Sequence, residues 1–211
     1  DTGGALSAYE GLRPQATLVG NETIVEIDAN WKFVSENLLD IYHATTTHSA
    51  SFAGYFPESN YVAGKLTGHG YHMEYGTLDR TPSGDVLLGP LPWLKDKPER
   101  FAFTAHIAPN FHIFARRDMI QSWVVVPLTH DRTRVTVWAQ YAREHFDKPA
   151  FKQKNEVIAA RIKKALTAEA PLLESLHFGA RSRAYVPGPL VGQEYVVHHK
   201  LNRYLDRLFN D

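Results

Sequence analysis

Two histidines and a nearby aspartate are the residues of this sequence best suited to metal chemistry. Asp40, His43 and His48 lie in the run Asn-Leu-Leu-Asp-Ile-Tyr-His-Ala-Thr-Thr-Thr-His over residues 37–48. On a continuous helix His43 and His48 would point about 140° apart, so they can bind one ion only where the helix unwinds. The three threonines between them favour such unwinding. Two neutral imidazoles and a carboxylate from elsewhere would form a facial triad, which leaves three positions open on Fe(II).

Asp40 has a supporting role in this interpretation. It precedes His43 by three residues, so the two side chains share one face of a helix. Its carboxylate could accept the hydrogen of the ring nitrogen that does not bind the metal and so fix the tautomer of His43. Two histidines near a polar helix end are also commonly surface or capping residues. The spacing alone leaves both interpretations open.

The elements that must position these residues follow from the hydrophobic pattern. Helical spacing over 30–44 places the candidate ligands at the end of a predicted helix. Aromatic or β-branched runs between turn signals predict strands over 23–27, 71–78, 101–107, 111–115, 120–127 and 134–141. Further helices are predicted over 149–167, from Pro171 onward and over 192–209, and an irregular segment over 1–20. The predicted class is α+β, an antiparallel sheet packed by helices.

Composition excludes several functions and favours one domain. The 211 residues carry 23 Lys and Arg against 23 Asp and Glu, a balance that argues against nucleic-acid binding. The absence of cysteine excludes thiolate metal sites and a cysteine nucleophile in this sequence. With no signal peptide and no apolar run of spanning length, we expect no membrane association and a cytoplasmic location. The 11 histidines and 12% aromatic residues suit a non-thiolate metal or an aromatic ligand.

A longer pattern surrounds the histidines: Asn30-Trp31-Lys32, Glu36-Asn37 and Asp40-x-Tyr42-His43-x4-His48. It resembles the catalytic domain of the α (large) subunit of Rieske-type non-haem iron, aromatic-ring-hydroxylating oxygenases. Residues 108–114 and 123–138 resemble later family segments in the same order, with Ala108 in place of a usual Phe. The resemblance implies a helix-grip, or START-like, fold and one mononuclear-iron catalytic domain over residues 1–211. Because residues 6–12 resemble the family's domain junction, we expect the N-terminal Rieske domain to be absent from this chain.

The resemblance also implies the ligand set. His43 and His48 correspond to the iron-binding histidines, and Glu169 occupies the position where the family commonly has Asp. Glu174 and Asp118 are weaker rivals for the carboxylate. The alternative for Glu169 is an acidic residue that favours the N-terminus of the next helix. Asn37 corresponds to a residue close to the iron.

The electron path and the partners follow from the same resemblance. Asp40 resembles the residue that links an iron ligand to a histidine ligand of the Rieske [2Fe–2S] cluster, commonly that of a neighbouring subunit. The implied partners are O2, a small aromatic or apolar substrate, the Rieske domain with its ferredoxin and reductase, and other subunits in an α3 or α3β3 assembly. The reaction would be mono- or dioxygenation.

Two questions about the binding of a substrate stay open at this point. The aromatic residues Phe101, Phe103, Phe111 and Phe114 are candidates for a substrate wall, or they are ordinary sheet core. The rival function is a non-catalytic helix-grip binder of an apolar ligand, which would have no use for a two-histidine, one-carboxylate set. The Fe(II)/2-oxoglutarate oxygenases are excluded by the order of the ligands, since they use His-x-Asp…His. All remaining histidines are interpreted as structural or surface residues, and five of them as isolated in the sequence, namely His106, His112, His130, His145 and His177.

Overall fold

The structure is a computed structural model that describes residues 3–40, 42–47, 64–76 and 88–209. Six helices are present in this part: α1 (Gly3–Gly11), α2 (Trp31–Asn37), α3 (Tyr42–Thr46), α4 (Arg143–Phe146), α5 (Phe151–Ala180) and α6 (Tyr195–Phe209). Seven strands accompany them: β1 (Thr17–Ile27), β2 (Lys65–Thr67), β3 (Gly70–Gly76), β4 (Phe101–Ile107), β5 (Phe111–Arg116), β6 (Ile120–Pro127) and β7 (Thr133–Ala142). None of the described helices has the length and hydropathy of a membrane span.

The strands form one antiparallel sheet in the order β1-β7-β6-β5-β4-β3-β2. Five successive antiparallel pairings join β2 to β7, and β1 then adds to the far edge by pairing with β7. The predicted α+β class, with an antiparallel sheet and packed helices, is confirmed. β2 was not predicted, and the predicted strand over 71–78 is observed as β3 up to Gly76, its last two residues lying outside the described part.

One face of the sheet carries the main core. In β7, Val135, Val137, Ala139 and Tyr141 are fully buried on this face, as the period of two in this strand requires. Helix α5 covers them with a stripe of apolar side chains, namely Ile158, Ile162, Leu166 and Leu173. This stripe crosses Pro171, and α5 is one helix of 30 residues. The predicted helix start at Pro171 is therefore wrong, because packing on both sides holds the helix together where a missing N–H would otherwise end it.

The opposite face carries a second core that α1 and a short turn at Pro92–Leu94 cover. Leu12, Leu91 and Leu94 pack there against Phe103 and Ile113. The prediction that residues 1–20 are irregular is wrong, since Gly3–Gly11 is helical and strand β1 already begins at Thr17. Glycine makes this helix intrinsically weak, so its packing against β3 and β4 supplies what local propensity does not.

The helix predicted over 30–44 is divided into α2 and α3. Asn30 caps α2, its side chain accepting a hydrogen bond of 3.0 Å from the Lys32 amide. The helix ends at Asn37, and α3 begins at Tyr42. Asp40 lies between them and accepts hydrogen bonds from the amides of Tyr42 (2.7 Å) and His43 (3.3 Å). The break thus occurs before the threonines, because an aspartate that caps a new helix also interrupts the old one.

Candidate functional site

Asp40 and His43 form the first part of the candidate site. The turn between α2 and α3 brings His43 Nδ1 to 3.5 Å from Asp40 Oδ2, with both side chains largely buried. The same carboxylate caps α3 through its other oxygen, so its orientation is fixed by backbone groups. A histidine whose Nδ1 faces a carboxylate presents Nε2 to a metal, which is the usual arrangement of a ligating imidazole.

The charges at this pair reinforce each other. Burial favours the neutral imidazole, but the hydrogen bond and charge of Asp40 and the charge of Glu169 together raise the pKa of His43. Burial likewise opposes ionisation of Asp40, yet the hydrogen bonds and charge of His43 lower the pKa of its carboxyl group. The pair is therefore an electrostatic unit, and Glu169 acts on it from α5.

Glu169 approaches this unit from the interior of α5. Asn37, the last residue of α2, donates a hydrogen bond of 3.4 Å from Nδ2 to Glu169 Oε2. The contact ties α2 to α5 and orients the carboxylate. Because Glu169 lies well inside a continuous 30-residue helix, the alternative that it complements a helix N-terminus is wrong.

The rival carboxylates are placed differently. Asp118 is buried in the turn between β5 and β6, where it pairs with Arg116 at 3.2 Å. Glu174 follows Glu169 by five residues on α5, which directs it about 140° away around the helix. Neither contributes to the charge balance at His43.

The structure brings together Asn37, Asp40, His43 and Glu169 of the five predicted site residues. The fifth, His48, lies outside the described residues. Within the described part, no group of three or more His, Cys, Asp or Glu side chains is close enough to hold a metal ion. The assignment of His43, His48 and Glu169 as ligands therefore remains a prediction.

The family of the chain is established by comparison with known proteins. Residues 14–209 match the family model of the ring-hydroxylating α subunit, catalytic domain. The chain belongs to this family. The resemblance seen around Asp40, His43 and His48 is thus confirmed at the level of the family. No curated protein sequence is detectably similar to the chain.

Solved structures show the same fold. A quaternary ammonium Rieske monooxygenase, CntA, in complex with an inhibitor gives a TM-score of 0.71 at 13% identity over 95% of this chain and 53% of that one. Naphthalene 1,2-dioxygenase from Rhodococcus sp., bound to indole, gives 0.64 at 18% over 96% and 60%. Dicamba monooxygenase bound to dicamba gives 0.62 at 13% over 92% and 60%. The chain therefore spans about half to three fifths of the length of these relatives.

Three of the four phenylalanines predicted for a substrate wall face away from the site. Phe101, Phe103 and Phe111 belong to the core beneath α1, on the side of the sheet opposite α2 and α5. Phe114 lies on the helix side, where its ring meets that of Trp123 at a centroid distance of 5.3 Å. The interpretation as sheet core is thus correct for Phe101, Phe103 and Phe111, because residues in alternate positions of a strand occupy opposite faces.

A pair of buried histidines on the helix side was not recognised from the sequence. His106 and His112 are opposite each other in the β4–β5 register, with ring centroids 4.6 Å apart, so the two histidines, isolated in the sequence, are neighbours in the structure. His112 Nε2 lies 3.0 Å from Ser35 Oγ of α2. The signal was present, since residues equally distant from the turn at 108–110 must meet in a hairpin. The pair anchors α2, the helix that carries Asn37, to the sheet.

Proposed function

We propose that the chain is the catalytic domain of an oxygenase that uses mononuclear non-haem Fe(II) and O2 to hydroxylate an aromatic or other apolar substrate. The observation that carries this proposal is the meeting of His43, supported by Asp40, and Glu169, held by Asn37, in a member of this family. With His48 as a second imidazole, these groups are the donor set of a facial triad, which suits Fe(II).

The residues present fit such an ion. Fe(II), when bound, supplies the activation of O2 for transfer of oxygen to carbon. Asp40 Oδ2, 3.5 Å from His43 Nδ1, would keep the proton on that nitrogen, and Nε2 would then be the atom that binds the metal. Asn37 donates a hydrogen bond to Oε2 of Glu169 and so restrains the carboxylate. This restraint offsets the extra rotational freedom of Glu relative to the Asp common in the family.

We propose that the electrons come from outside this sequence. The 211 residues contain no cysteine, and a Rieske [2Fe–2S] cluster requires two cysteines as well as two histidines. The cluster would therefore lie on another domain or subunit and receive electrons from a ferredoxin and reductase. Asp40 would connect its histidine ligand to His43. A cytoplasmic location is part of this proposal, because the reductase and ferredoxin would obtain their electrons from NAD(P)H.

An assembly of subunits, α3 or α3β3, belongs to the same proposal. Exposed apolar side chains mark the end of α5 and the segment after it, where Phe178 is 79% and Val186 is 81% exposed. Exposed apolar groups of this size favour contact with another protein. The structure of a quaternary ammonium Rieske monooxygenase with the same fold gives insight into inter-subunit electron transfer in that enzyme. A trimer would bring the cluster of one subunit to the iron of its neighbour.

The proposed substrate is small and apolar. Phe114 and Trp123 form an aromatic surface on the side of the sheet that faces α2 and α5. The related naphthalene dioxygenase and dicamba monooxygenase structures hold indole and dicamba, both aromatic. We infer that this chain also binds an aromatic ligand. The proposed reaction is the mono- or dioxygenation of that ligand.

Metal analysis of the anaerobically purified chain tests the proposal. We expect close to one iron per chain, lost in His43→Ala and in Glu169→Ala. Glu174→Ala, on the same helix, and His130→Ala, an exposed histidine, are the matched controls and should retain iron. Circular dichroism of each variant shows whether lost iron reflects lost ligands or lost fold.

The opposite result is equally informative. A folded, iron-free chain that still binds apolar aromatic probes would identify it as a non-catalytic helix-grip binder. Retention of iron in Glu169→Ala with its loss in Glu174→Ala would transfer the carboxylate role to Glu174.

A further inference from the structure

Helix α6 directs a buried lysine, Lys200, toward α2. This lysine has no part in the proposed site at Asp40 and His43. Lys200 is only 7% exposed and is the one lysine or arginine that is buried among the described residues. Its Nζ donates a hydrogen bond of 3.4 Å to the Lys32 carbonyl and lies 5.7 Å from the centre of the Trp31 ring. A buried cation is costly unless a negative group compensates it, so the surroundings of Lys200 require explanation.

A small cavity adjoins this lysine. Its volume is about 50 Å³, and it lies between α2 and the face of α6 that carries Lys200, Arg203 and Arg207, with the turns at His69 and Pro109 completing its wall. One water molecule needs roughly 10–15 Å³ measured in this way, so the cavity holds roughly three to five atoms of that size. This is the size of a carboxylate or a phosphate group, and too small for an aromatic substrate.

The charge around the cavity is strongly positive. Lys32, Lys200, Arg203 and Arg207 line it, and Glu36 is the only carboxylate among its described lining residues. Burial raises the pKa of Glu36 despite the opposing charges of Lys200 and Lys32, which weakens it as a counter-charge. Burial also lowers the pKa of Lys200 to about 8, which still leaves this lysine largely protonated at neutral pH.

Carboxylates balance only part of this positive charge, Glu36 within the lining and Asp206 beside Arg203. Lys32 Nζ lies 5.4 Å from the centre of the Tyr204 ring rather than beside a carboxylate. Arg203 contacts Asp206 at 3.4 Å on the exposed side of α6. Arg207 forms no ion pair with any residue in the part of the chain that the structure describes. Guanidinium groups four residues apart on one helix face can bind the same oxyanion through paired N–H donors.

We propose that this cavity, the α2–α6 cavity, is a binding site for a small oxyanion, a carboxylate or phosphate group, that joins α6 to α2. The anion adds negative charge to that of Glu36 and Asp206, which together do not match the four cations lining the cavity. From α2 the cavity is lined by Trp31, Lys32 and Glu36, and none of Asn37, Asp40, His43 and Glu169 lines it. The site is therefore independent of the proposed iron chemistry and can be tested with or without the metal.

Unfolding of the 211-residue chain by urea, with phosphate exchanged for chloride at constant ionic strength, tests this proposal. We expect the midpoint to rise with phosphate concentration and to saturate, which distinguishes binding from general salt effects. The 31P resonance of phosphate should broaden or shift on addition of the chain. A parallel series with acetate distinguishes the sources: a rise with both anions indicates a site for any oxyanion, and a rise with phosphate alone indicates a phosphate site.

The double variant Arg203→Gln/Arg207→Gln should fold and lose at least ten-fold in phosphate affinity. The matched control is Arg181→Gln/Arg183→Gln, which removes the same charge from exposed positions after α5 and should bind phosphate normally. An unchanged midpoint at equal ionic strength in both anion series overturns the proposal. So does an equal rise in the Arg203→Gln/Arg207→Gln variant. Neither result affects the iron stoichiometry on which the proposed function depends.

Discussion

At the scale of single residues, Asp40 has two structural tasks that different substitutions can separate. One carboxylate oxygen accepts from the backbone at the start of α3, and the other faces His43 Nδ1. Asparagine can still cap a helix, but it lacks the negative charge. The sequence suggested only the second task, since the cap depends on a break in the helix that the hydrophobic pattern does not show.

We expect Asp40→Asn to retain iron and to abolish turnover that is coupled to a supplied Rieske electron chain. The physical reason is that asparagine keeps the turn but lacks the negative charge that the proposed electron path from the cluster to His43 requires. Iron content and product formation under single-turnover and steady-state conditions measure the two effects. Asp40→Ala, the control, should also cost about 1 kcal/mol of stability through loss of the cap. Equal turnover in Asp40→Asn and the parent would reject this role.

The buried histidines predict a loss of stability in acid. Burial lowers the pKa of His106 to about 3 and holds that of His112 well below its usual value. Since the unfolded chain takes up these protons near pH 6.5, stability is fully present above pH 6.5 and is lost as the pH falls toward 3. Each histidine contributes a slope of about 1.4 kcal/mol per pH unit in that range.

Urea unfolding at several pH values measures this slope. His112→Gln can keep a hydrogen bond to Ser35 but cannot take up a proton, so its slope should be smaller by about 1.4 kcal/mol per pH unit. His130→Gln, at an exposed position, should leave the slope unchanged. An identical slope in His112→Gln and the parent would contradict the prediction.

At the scale of elements, α5 owes its length to packing rather than to its sequence. Pro171 cannot donate to the Thr167 carbonyl, and its ring crowds the preceding turn. Leu166 and Leu173 are nevertheless buried on either side of it in the same core. The helix therefore carries a local cost that the core offsets, and this cost can be removed by substitution because Pro171 is exposed.

We expect Pro171→Ala to raise the free energy of unfolding by about 1–3 kcal/mol, since it restores one hydrogen bond and a residue of high helix propensity. Urea unfolding measures the change. Pro187→Ala, in the irregular exposed segment before α6, is the control and should not stabilise the chain, because proline there restricts only the unfolded state. Destabilisation by Pro171→Ala would show that the helix needs the proline.

At the scale of the whole molecule, the chain contains the candidate iron site but lacks the cysteines of a Rieske cluster, the proposed source of electrons. Without cysteine, the purified chain should show no Rieske visible absorption and no turnover with NAD(P)H, a reductase and a ferredoxin alone. We expect product to form when a Rieske domain of the same enzyme system is added separately. Product formed without one would contradict this division of roles. The control is the His43→Ala variant, which should remain inactive with the Rieske domain present.

The sequence by itself determined the family, the fold class and four residues that the structure brings together, because these depend on local spacing and on the identity of side chains. Asn37, Asp40 and His43 lie within one short run, and Glu169 was identified by the position that it occupies in the family pattern. Only the tertiary structure decided how these residues approach each other, since the hydrogen bond from Asn37 to Glu169 joins two helices through residues 132 positions apart in the sequence.

Tertiary structure also decided which features belong to the site at all. It placed Phe101, Phe103 and Phe111 on the face opposite α2 and α5. The sequence of a strand shows which residues share a face, but it does not show which face those helices will cover. It paired His106 with His112 through a hairpin, and it buried Lys200 beneath the first turn of α2. Each outcome depends on which distant element covers the residue. Such burial changes the pKa of an ionisable group and the packing of an aromatic ring, but it leaves no local pattern in the sequence.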